Sequence, residues 1–120
     1  MKQLVNILKA TADSNRLRIL GLLSRKELCV CELAHILKIT QPSVSRHLRR
    51  LQTAGLIAAR QRGYWTNYYL APANQCTKDL LRHLNKWWQG KTDDLKQLSR
   101  VTRYSLCRHR DRARAKKGRR

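Results

Sequence analysis

Two cysteines separated by a single residue, Cys29 and Cys31, are the side chains of this sequence best suited to chemistry. Thiolates are the soft ligands that thiophilic metal and metalloid ions select. The first turn of a helix favours the thiolate form, because its unpaired amides and its dipole place positive charge there. The pair therefore predicts a binding site for a soft ion, provided that a helix begins at these residues.

A helix is predicted at the pair, because Val30, Leu33 and Leu37 recur at helical spacing directly after Cys29. Residues i and i+2 of a regular helix point about 200° apart. We therefore expect both sulfurs to bind one ion only if the first turn unwinds. Because this helix positions the next one, the deformation would lower the affinity of the next helix for its partner.

The next helix is predicted to begin at Thr40 as N-cap, with Pro42 tolerated in the first turn. Its core side is apolar, and its opposite side carries polar and basic residues, which are Gln41, Ser43, Ser45, Arg46, His47, Arg49 and Arg50. Two short helices joined by a tight turn, the second one basic, match what reading the DNA major groove requires. Double-stranded DNA is therefore the expected partner.

A β-hairpin is predicted from two runs rich in branched and aromatic residues, at positions 56–60 and 64–70. Gly63 lies between them and tolerates a positive φ at little cost. Arg60 and Arg62 are then expected at the hairpin tip, where they would reach phosphates or the minor groove. The hairpin would form a wing beside the basic helix.

Three further helices complete the prediction. The first contains Leu4 to Leu8, and the second is capped by Asp13 or Ser14. The last runs from Cys76 to about residue 101, and Gly90 is expected to kink or split it. The predicted fold is mainly α with a small β-hairpin, a winged helix-turn-helix that forms a homodimer through its first and last helices.

Length and charge limit the function classes. The 120 residues suit one domain, and 27 Lys and Arg against 7 Asp and Glu give a net charge of +20, which favours a polyanionic partner. We expect a domain over residues 1–104 and a basic, disordered tail over 105–120. A membrane span and a signal peptide are not expected, which predicts reduced cysteines and a cytoplasmic bacterial protein located at the nucleoid through DNA.

Three sequence blocks resemble the ArsR/SmtB family of metal-sensing repressors, and most closely its arsenic-responsive members. They are Asp13-Ser14-Asn15-Arg16-Leu17-Arg18-Ile19-Leu20, Glu27-Leu28-Cys29-Val30-Cys31-Glu32-Leu33 and Gln41-Pro42-Ser43-Val44-Ser45-Arg46-His47-Leu48. The likeness covers residues 1 to about 72. It implies a homodimeric winged-helix repressor of a resistance operon that releases operator DNA when trivalent arsenic or antimony binds.

The resemblance also assigns roles to residues. It implies that Gln41, Ser43, Ser45 and Arg46 read bases and that Arg60 and Arg62 act from the wing. The chemistry agrees, since Gln pairs with adenine, Arg pairs with guanine, and Ser bonds bases or phosphates. The remaining polar residues of that helix, His47, Arg49 and Arg50, are expected to contact phosphates or to form a solvated face.

The inducer site departs from the arsenic-sensor pattern Cys-x-Cys-x-x-Cys, because Ala34 occupies the third cysteine position. Cys107 is a candidate for the third sulfur, and so is Cys76, which is otherwise expected to be a small buried apolar residue. A small thiol or hydroxide could also complete the site, and two thiols alone would suit a methylated arsenical. Inorganic arsenite or antimonite ranks first, and cadmium or lead remain alternatives because sensors of those ions carry a similar Cys-x-Cys.

Two other function classes are open. A sequence-tolerant architectural or RNA-binding protein would also exploit the positive charge and would bind random duplex as well as a palindrome. An enzyme such as an arsenate reductase is disfavoured, because the sequence lacks a glycine-rich phosphate loop and paired carboxylates. We therefore expect no catalytic activity and no required cofactor.

Overall fold

The computed structural model describes residues 1–88 and 93–100. Its elements, in chain order, are α1 (Lys2–Thr11), α2 (Ser14–Leu23), β1 (Leu28–Cys29), α3 (Val30–Leu37), α4 (Gln41–Thr53), β2 (Ile57–Arg62), β3 (Trp65–Leu70), α5 (Gln75–Trp88) and α6 (Asp93–Arg100). The predicted mainly α architecture with a β-hairpin is confirmed. The predicted basic tail, which includes Cys107, lies outside the described residues.

The predicted helix starts are confirmed by their caps. The Asp13 side chain accepts a hydrogen bond from the Arg16 amide at 3.1 Å, which begins α2. Although burial alone would raise the pKa of Asp13, this hydrogen bond and the positive charges of Arg16 and His47 hold it below the ordinary value of 3.8. At α4 the Thr40 hydroxyl accepts from the Ser43 amide at 3.3 Å.

The sheet is antiparallel with the strand order β1-β3-β2. The turn of the β2–β3 hairpin is shorter than predicted: β2 extends to Arg62, which pairs with Trp65, so the turn has only two residues, with Gly63 at φ +63°. The strand β1 was not predicted, because two residues are too short to show an alternating pattern. Its Cys29 pairs with Asn67 of β3.

The core lies between α2, α3, α4 and the sheet. Val44, Leu48 and Leu51 of α4 are fully buried, as the apolar stripe predicted. Burying each such side chain contributes about 1.5–3 kcal/mol to folding. The core therefore holds α4 by one face and leaves its polar face outward.

The predicted last helix corresponds to α5 and α6, and the kink or split expected at Gly90 lies outside the described residues. The indole of Trp88 donates to the Leu17 carbonyl at 2.8 Å and anchors α5 on α2. Arg18 binds both carboxylate oxygens of Asp94, at 2.7 and 2.8 Å, and anchors α6 on the same helix. The hydrogen bonds to Asp94 and the negative charge of that carboxylate raise the pKa of Arg18, although burial opposes the shift. Helix α6 also contacts α3.

Large apolar side chains remain exposed on the outer face of α1 and on α5. They are Leu4, Val5 and Leu8 on α1 and Trp87 on α5, and Met1 at the N-cap of α1 is exposed as well. None of the helices described between residues 1 and 100 has the length and apolar composition needed to cross a bilayer.

Candidate nucleic-acid interface and cysteine pair

The two cysteines meet at the junction of β1 and α3. Cys29 ends the strand and is the N-cap of the helix, with extended backbone angles of φ −95° and ψ 172°. Cys31 lies in the first turn of α3. Both side chains are buried, and their sulfur atoms are 3.0 Å apart.

The expectation that both sulfurs reach one ion only after the first turn unwinds is wrong. The 200° separation holds between two helical residues, whereas Cys29 precedes the helix and has the backbone of a strand. With bonds of about 2.3 Å, as thiolates make to zinc, sulfurs 3.0 Å apart subtend roughly 80° at one ion. The folded chain thus already presents two sulfurs to one ion with α3 intact.

Glu32 holds the junction from inside. It forms a capping box with Cys29, in which its Oε1 accepts the Cys29 amide at 3.0 Å. The residue is 0% exposed, and its Oε2 has no hydrogen-bond partner within the described ranges. Asn67, which pairs with Cys29 across the sheet, is 2% exposed. Its Oδ1 also has no hydrogen-bond partner within the described ranges. Two buried acceptors therefore lie on residues adjoining the pair. Neither acceptor was predicted, although an acidic residue three positions after an N-cap is a recognised signal of a capping box.

Trp65 covers the cysteine pair. Its half-buried side chain packs against Cys29 and Cys31 in a small cluster separate from the main core. Because Trp65 begins β3, the inducer site predicted from the sequence directly adjoins the wing. The sequence places Trp65 in the wing, but the unpredicted strand β1 is what brings it to the cysteines.

Cys76 is not part of this cluster. Cys76 is exposed on the first turn of α5, so the expectation of a buried residue there is wrong. The physical reason is that its neighbour Thr77 faces the interior, which turns Cys76 to solvent. Cys107 lies outside the described residues. Within residues 1–88 and 93–100 no three or more His, Cys, Asp or Glu side chains are grouped to hold a metal ion.

The outer face of α4 carries the residues predicted to meet DNA. Gln41, Ser45, Arg46, Arg49 and Arg50 are exposed, and Ser43 is half-buried. The hydroxyl oxygen of Ser43 accepts from Thr40 at 2.9 Å and from Arg46 at 3.2 Å. These contacts orient the N-terminal turn of α4 before any partner binds.

Three arginines of α4 line a groove of about 420 Å³ beside α1. They are Arg46, Arg49 and Arg50, with Asn6 and Ala10 on the opposite wall. Guanidinium groups bind phosphate through paired hydrogen bonds. The groove can therefore receive one segment of a phosphate backbone.

His47 occupies a different position from its neighbours. It is half-buried, and its Nδ1 lies 3.4 Å from Arg16 Nη1. Arg16 also donates to the carbonyls of Ala10 at 2.6 Å and Lys9 at 3.2 Å. The pair joins α1, α2 and α4, and a phosphate contact by His47 stays a prediction.

The two wing arginines differ in place. Arg62 adjoins the hairpin turn, as predicted, whereas Arg60 lies two residues further from the tip than expected because β2 extends to Arg62. The Arg60 guanidinium stacks 4.6 Å from the Tyr69 ring centre and lies 3.9 Å from Glu27. Of the two, Arg62 is therefore better placed to extend along DNA.

A second groove, of about 340 Å³, separates α4 from the wing. It is lined by Val30, Gln41, Ser45, Gln61, Tyr64, Trp65, Thr66 and Tyr68. Its walls therefore combine two of the predicted base-reading residues with the side chain that covers the cysteine pair.

The chain is similar to known regulators. Residues 13–59 match the model of the bacterial regulatory protein, arsR family. The arsenic resistance transcriptional regulator ArsR1 of Pseudomonas putida is 46% identical over 67 residues, which are 55% of this chain and 52% of the relative. The arsenical resistance operon repressor of Escherichia coli is 45% identical over 69 residues, 57% of this chain and 59% of the relative. These matches thus span little more than half the length of either relative.

A longer match extends beyond the wing. The arsenic resistance transcriptional regulator ArsR2 of Pseudomonas putida is 33% identical over 109 residues, 85% of this chain and 95% of the relative. Among solved structures, the homodimeric winged helix-turn-helix DNA-binding domain of a possible ArsR-family regulator from Mycobacterium bovis superposes with a TM-score of 0.63. It is 27% identical, and the match covers 79% of this chain and 83% of that chain.

Proposed function

Because the chain belongs to the ArsR family of bacterial regulatory proteins, we propose that it is a metalloid-responsive transcriptional repressor of the bacterial cytoplasm. It binds operator DNA as a homodimer and dissociates when trivalent arsenic or antimony binds Cys29 and Cys31. The single observation that carries the proposal is the pair of sulfurs 3.0 Å apart at the start of the helix that precedes α4. The family and the relatives are transcriptional regulators, so no enzymatic activity is assigned.

The DNA-binding part of the proposal rests on the polar face of α4 and on the wing. Gln41, Ser43, Ser45 and Arg46 lie on the first half of α4, the part of a recognition helix that enters the major groove. Arg49 and Arg50, which line the groove beside α1, lie toward the other end and bind the phosphate backbone. Arg62 at the wing reaches the flanking backbone or the minor groove.

The homodimer rests on the apolar surface of α1. Leu4, Val5 and Leu8 are 39–50% exposed on one helix. Contiguous exposed apolar side chains mark association surfaces in folded proteins. Trp87 of α5 adds a large aromatic residue, which agrees with the predicted dimer through the first and last helices. A two-fold dimer matches a palindromic operator.

The inducer part rests on the chemistry of the pair. Buried sulfurs that already converge lose little freedom on binding a soft ion, which raises affinity without new contacts. Because α3 need not unwind, the ligand acts through the elements that touch the pair. Trivalent arsenic and antimony fit a thiol pair, and a methylated arsenical, cadmium or lead are the competing ligands.

Cys107 is proposed as the third sulfur. Helix α6 contacts α3 and is described as far as Arg100, and Cys107 is seven positions after Arg100 in the sequence. Seven residues span at most roughly 24 Å. That length allows Cys107 of the same subunit or of its partner to approach Cys29 and Cys31. A hydroxide or a small thiol is the alternative third ligand.

The test measures operator binding by fluorescence anisotropy with and without arsenite. The full chain should bind a palindromic operator more tightly than random duplex, with a log-log salt slope of about 0.9 per neutralised phosphate. Arsenite should dissociate the wild-type protein from the operator and should leave the Cys29→Ser/Cys31→Ser variant bound. Cys76→Ser, with its exposed sulfur, is the matched control and should respond like the wild type.

Each contrary result removes one part of the proposal. Equal affinity for operator and random duplex would favour a sequence-tolerant architectural protein. If the arsenite concentration that dissociates the wild type from DNA also dissociates the double variant, the assignment of the inducer site to Cys29 and Cys31 is wrong. Titration with antimonite, phenylarsine oxide, cadmium and lead in the same assay ranks the ligands, and Cys107→Ser tests the third sulfur.

A further inference from the structure

We propose that Trp65 is the positioning residue that couples the cysteine pair to the DNA-reading surface, so that inducer binding displaces its indole and shifts the wing relative to α4. The inference rests on the proposed function and names the route of its regulation.

Trp65 contacts the cysteine pair and lines the groove at the DNA-reading surface. On one side its ring packs against Cys29 and Cys31. On the other side it lines the groove between α4 and the wing, together with Gln41 and Ser45. One side chain thus packs against the cysteine pair and shares a groove with two of the predicted base-reading residues.

The backbone provides a second link along the same path. Cys29 is the Cα partner of Asn67 in β3, and two residues earlier in β3 Trp65 is the partner of Arg62 in β2. A displacement at the start of β3 is therefore passed by strand pairing to the arginine beside the turn. The path from Cys29 to Arg62 crosses two strand pairings and no loop.

The ligand must disturb this contact for steric reasons. Zinc–thiolate bonds of about 2.3 Å in tetrahedral geometry place two sulfurs roughly 3.8 Å apart, which is wider than the 3.0 Å found here. The sulfurs must separate, and the ligand atom needs room beside them. Packed interiors leave few voids of atomic size, so the half-buried indole is the neighbour that yields.

The groove makes the displacement matter for DNA. If the indole moves into the space between α4 and the wing, it changes the distance between Gln41 and Arg62. In the proposed complex these two residues contact the same DNA, so the distance between them must match it. The ligand then favours a conformation that binds DNA less well. Its effect on DNA affinity equals its preference for that conformation.

The test measures coupling, defined as the ratio of the operator Kd with saturating arsenite to the Kd without it. For the wild type we expect a ratio within about 5–150. Trp65→Leu leaves room beside the sulfurs and should lower the ratio below about 3, while arsenite still binds at the wild-type stoichiometry in equilibrium dialysis. Trp65→Phe keeps part of the ring contact and should give an intermediate ratio.

The outcomes separate this inference from the function on which it rests. If arsenite leaves the operator Kd of the wild type unchanged, the repressor proposal itself fails and the coupling role fails with it. If the wild type responds and both Trp65 variants keep its ratio, only the coupling role is overturned. Should Trp65→Leu fail to fold by circular dichroism, an unchanged ratio in Trp65→Phe overturns the role, and a lowered ratio supports it.

Discussion

Replacing Gly21 with Ala should destabilise the protein, although alanine is the better helix former. Gly21 is buried in α2, and a Cβ added there would overlap the indole of Trp88. Alanine favours a helix interior over glycine by about 1 kcal/mol. The overlap opposes this gain, because inserting atoms into a packed core costs about 1–3 kcal/mol.

The indole cannot move away without a further loss. Its Nε1 donates to the Leu17 carbonyl at 2.8 Å, and a hydrogen bond of this kind contributes about 0.5–1.5 kcal/mol. Overpacking of about 2 kcal/mol and a lost bond of about 1 kcal/mol, less the helix gain of about 1 kcal/mol, leave a net loss of roughly 2 kcal/mol.

Urea unfolding at one fixed protein concentration measures this loss as a lower transition midpoint with an unchanged slope. The control is a double-mutant cycle with Trp88→Ala. Without the indole, Gly21→Ala should become neutral or stabilising, because only the helix preference remains. If Gly21→Ala is as stable as the wild type when Trp88 is present, the reasoning is refuted.

Three further predictions concern the ion pair of α6, the cap of α2 and the surface of α1. Asp94→Asn should lower the free energy of unfolding by about 1–3 kcal/mol, because Arg18 keeps one of two charge-assisted hydrogen bonds; urea denaturation measures it, and a change under about 0.5 kcal/mol would contradict it. The pKa of Asp13 is lowered in the folded state, so its contribution to stability is present above pH 3.8 and is lost as the pH falls through the folded pKa. Asp13→Asn keeps a side-chain cap that does not titrate. In urea unfolding at a series of acid pH values, the difference in free energy of unfolding between the wild type and Asp13→Asn should therefore disappear below the folded pKa. Leu8→Glu should raise the dimer Kd more than tenfold in sedimentation experiments, since burying an unpaired carboxylate costs several kcal/mol, while a dimer of wild-type strength would exclude this surface.

The fold was largely predictable from the sequence, because its signals are local. The apolar stripe of α4, the caps at Asp13 and Thr40, and Gly63 in the hairpin turn each act within a few residues. The structure confirms all of them.

The geometry of the cysteine site was not predictable, because it depends on a long-range contact. Strand β1 forms only by pairing with β3, almost forty residues later, and that pairing makes Cys29 an extended N-cap rather than a helical residue. The convergence of the sulfurs and the cover by Trp65 both follow from it. The exposure of Cys76 was missed for a different reason, since a short cysteine fits either face of α5.

The central claim is that the inducer site is already assembled at the β1–α3 junction and that its ligand acts through β3 rather than by unwinding α3. Backbone amide hydrogen exchange of the full chain, with and without saturating arsenite, tests this most directly. The account predicts that the amides of Leu33 to Leu37 keep their protection while those of β3 near Trp65 exchange faster. Loss of protection along α3, with β3 unchanged, would contradict it.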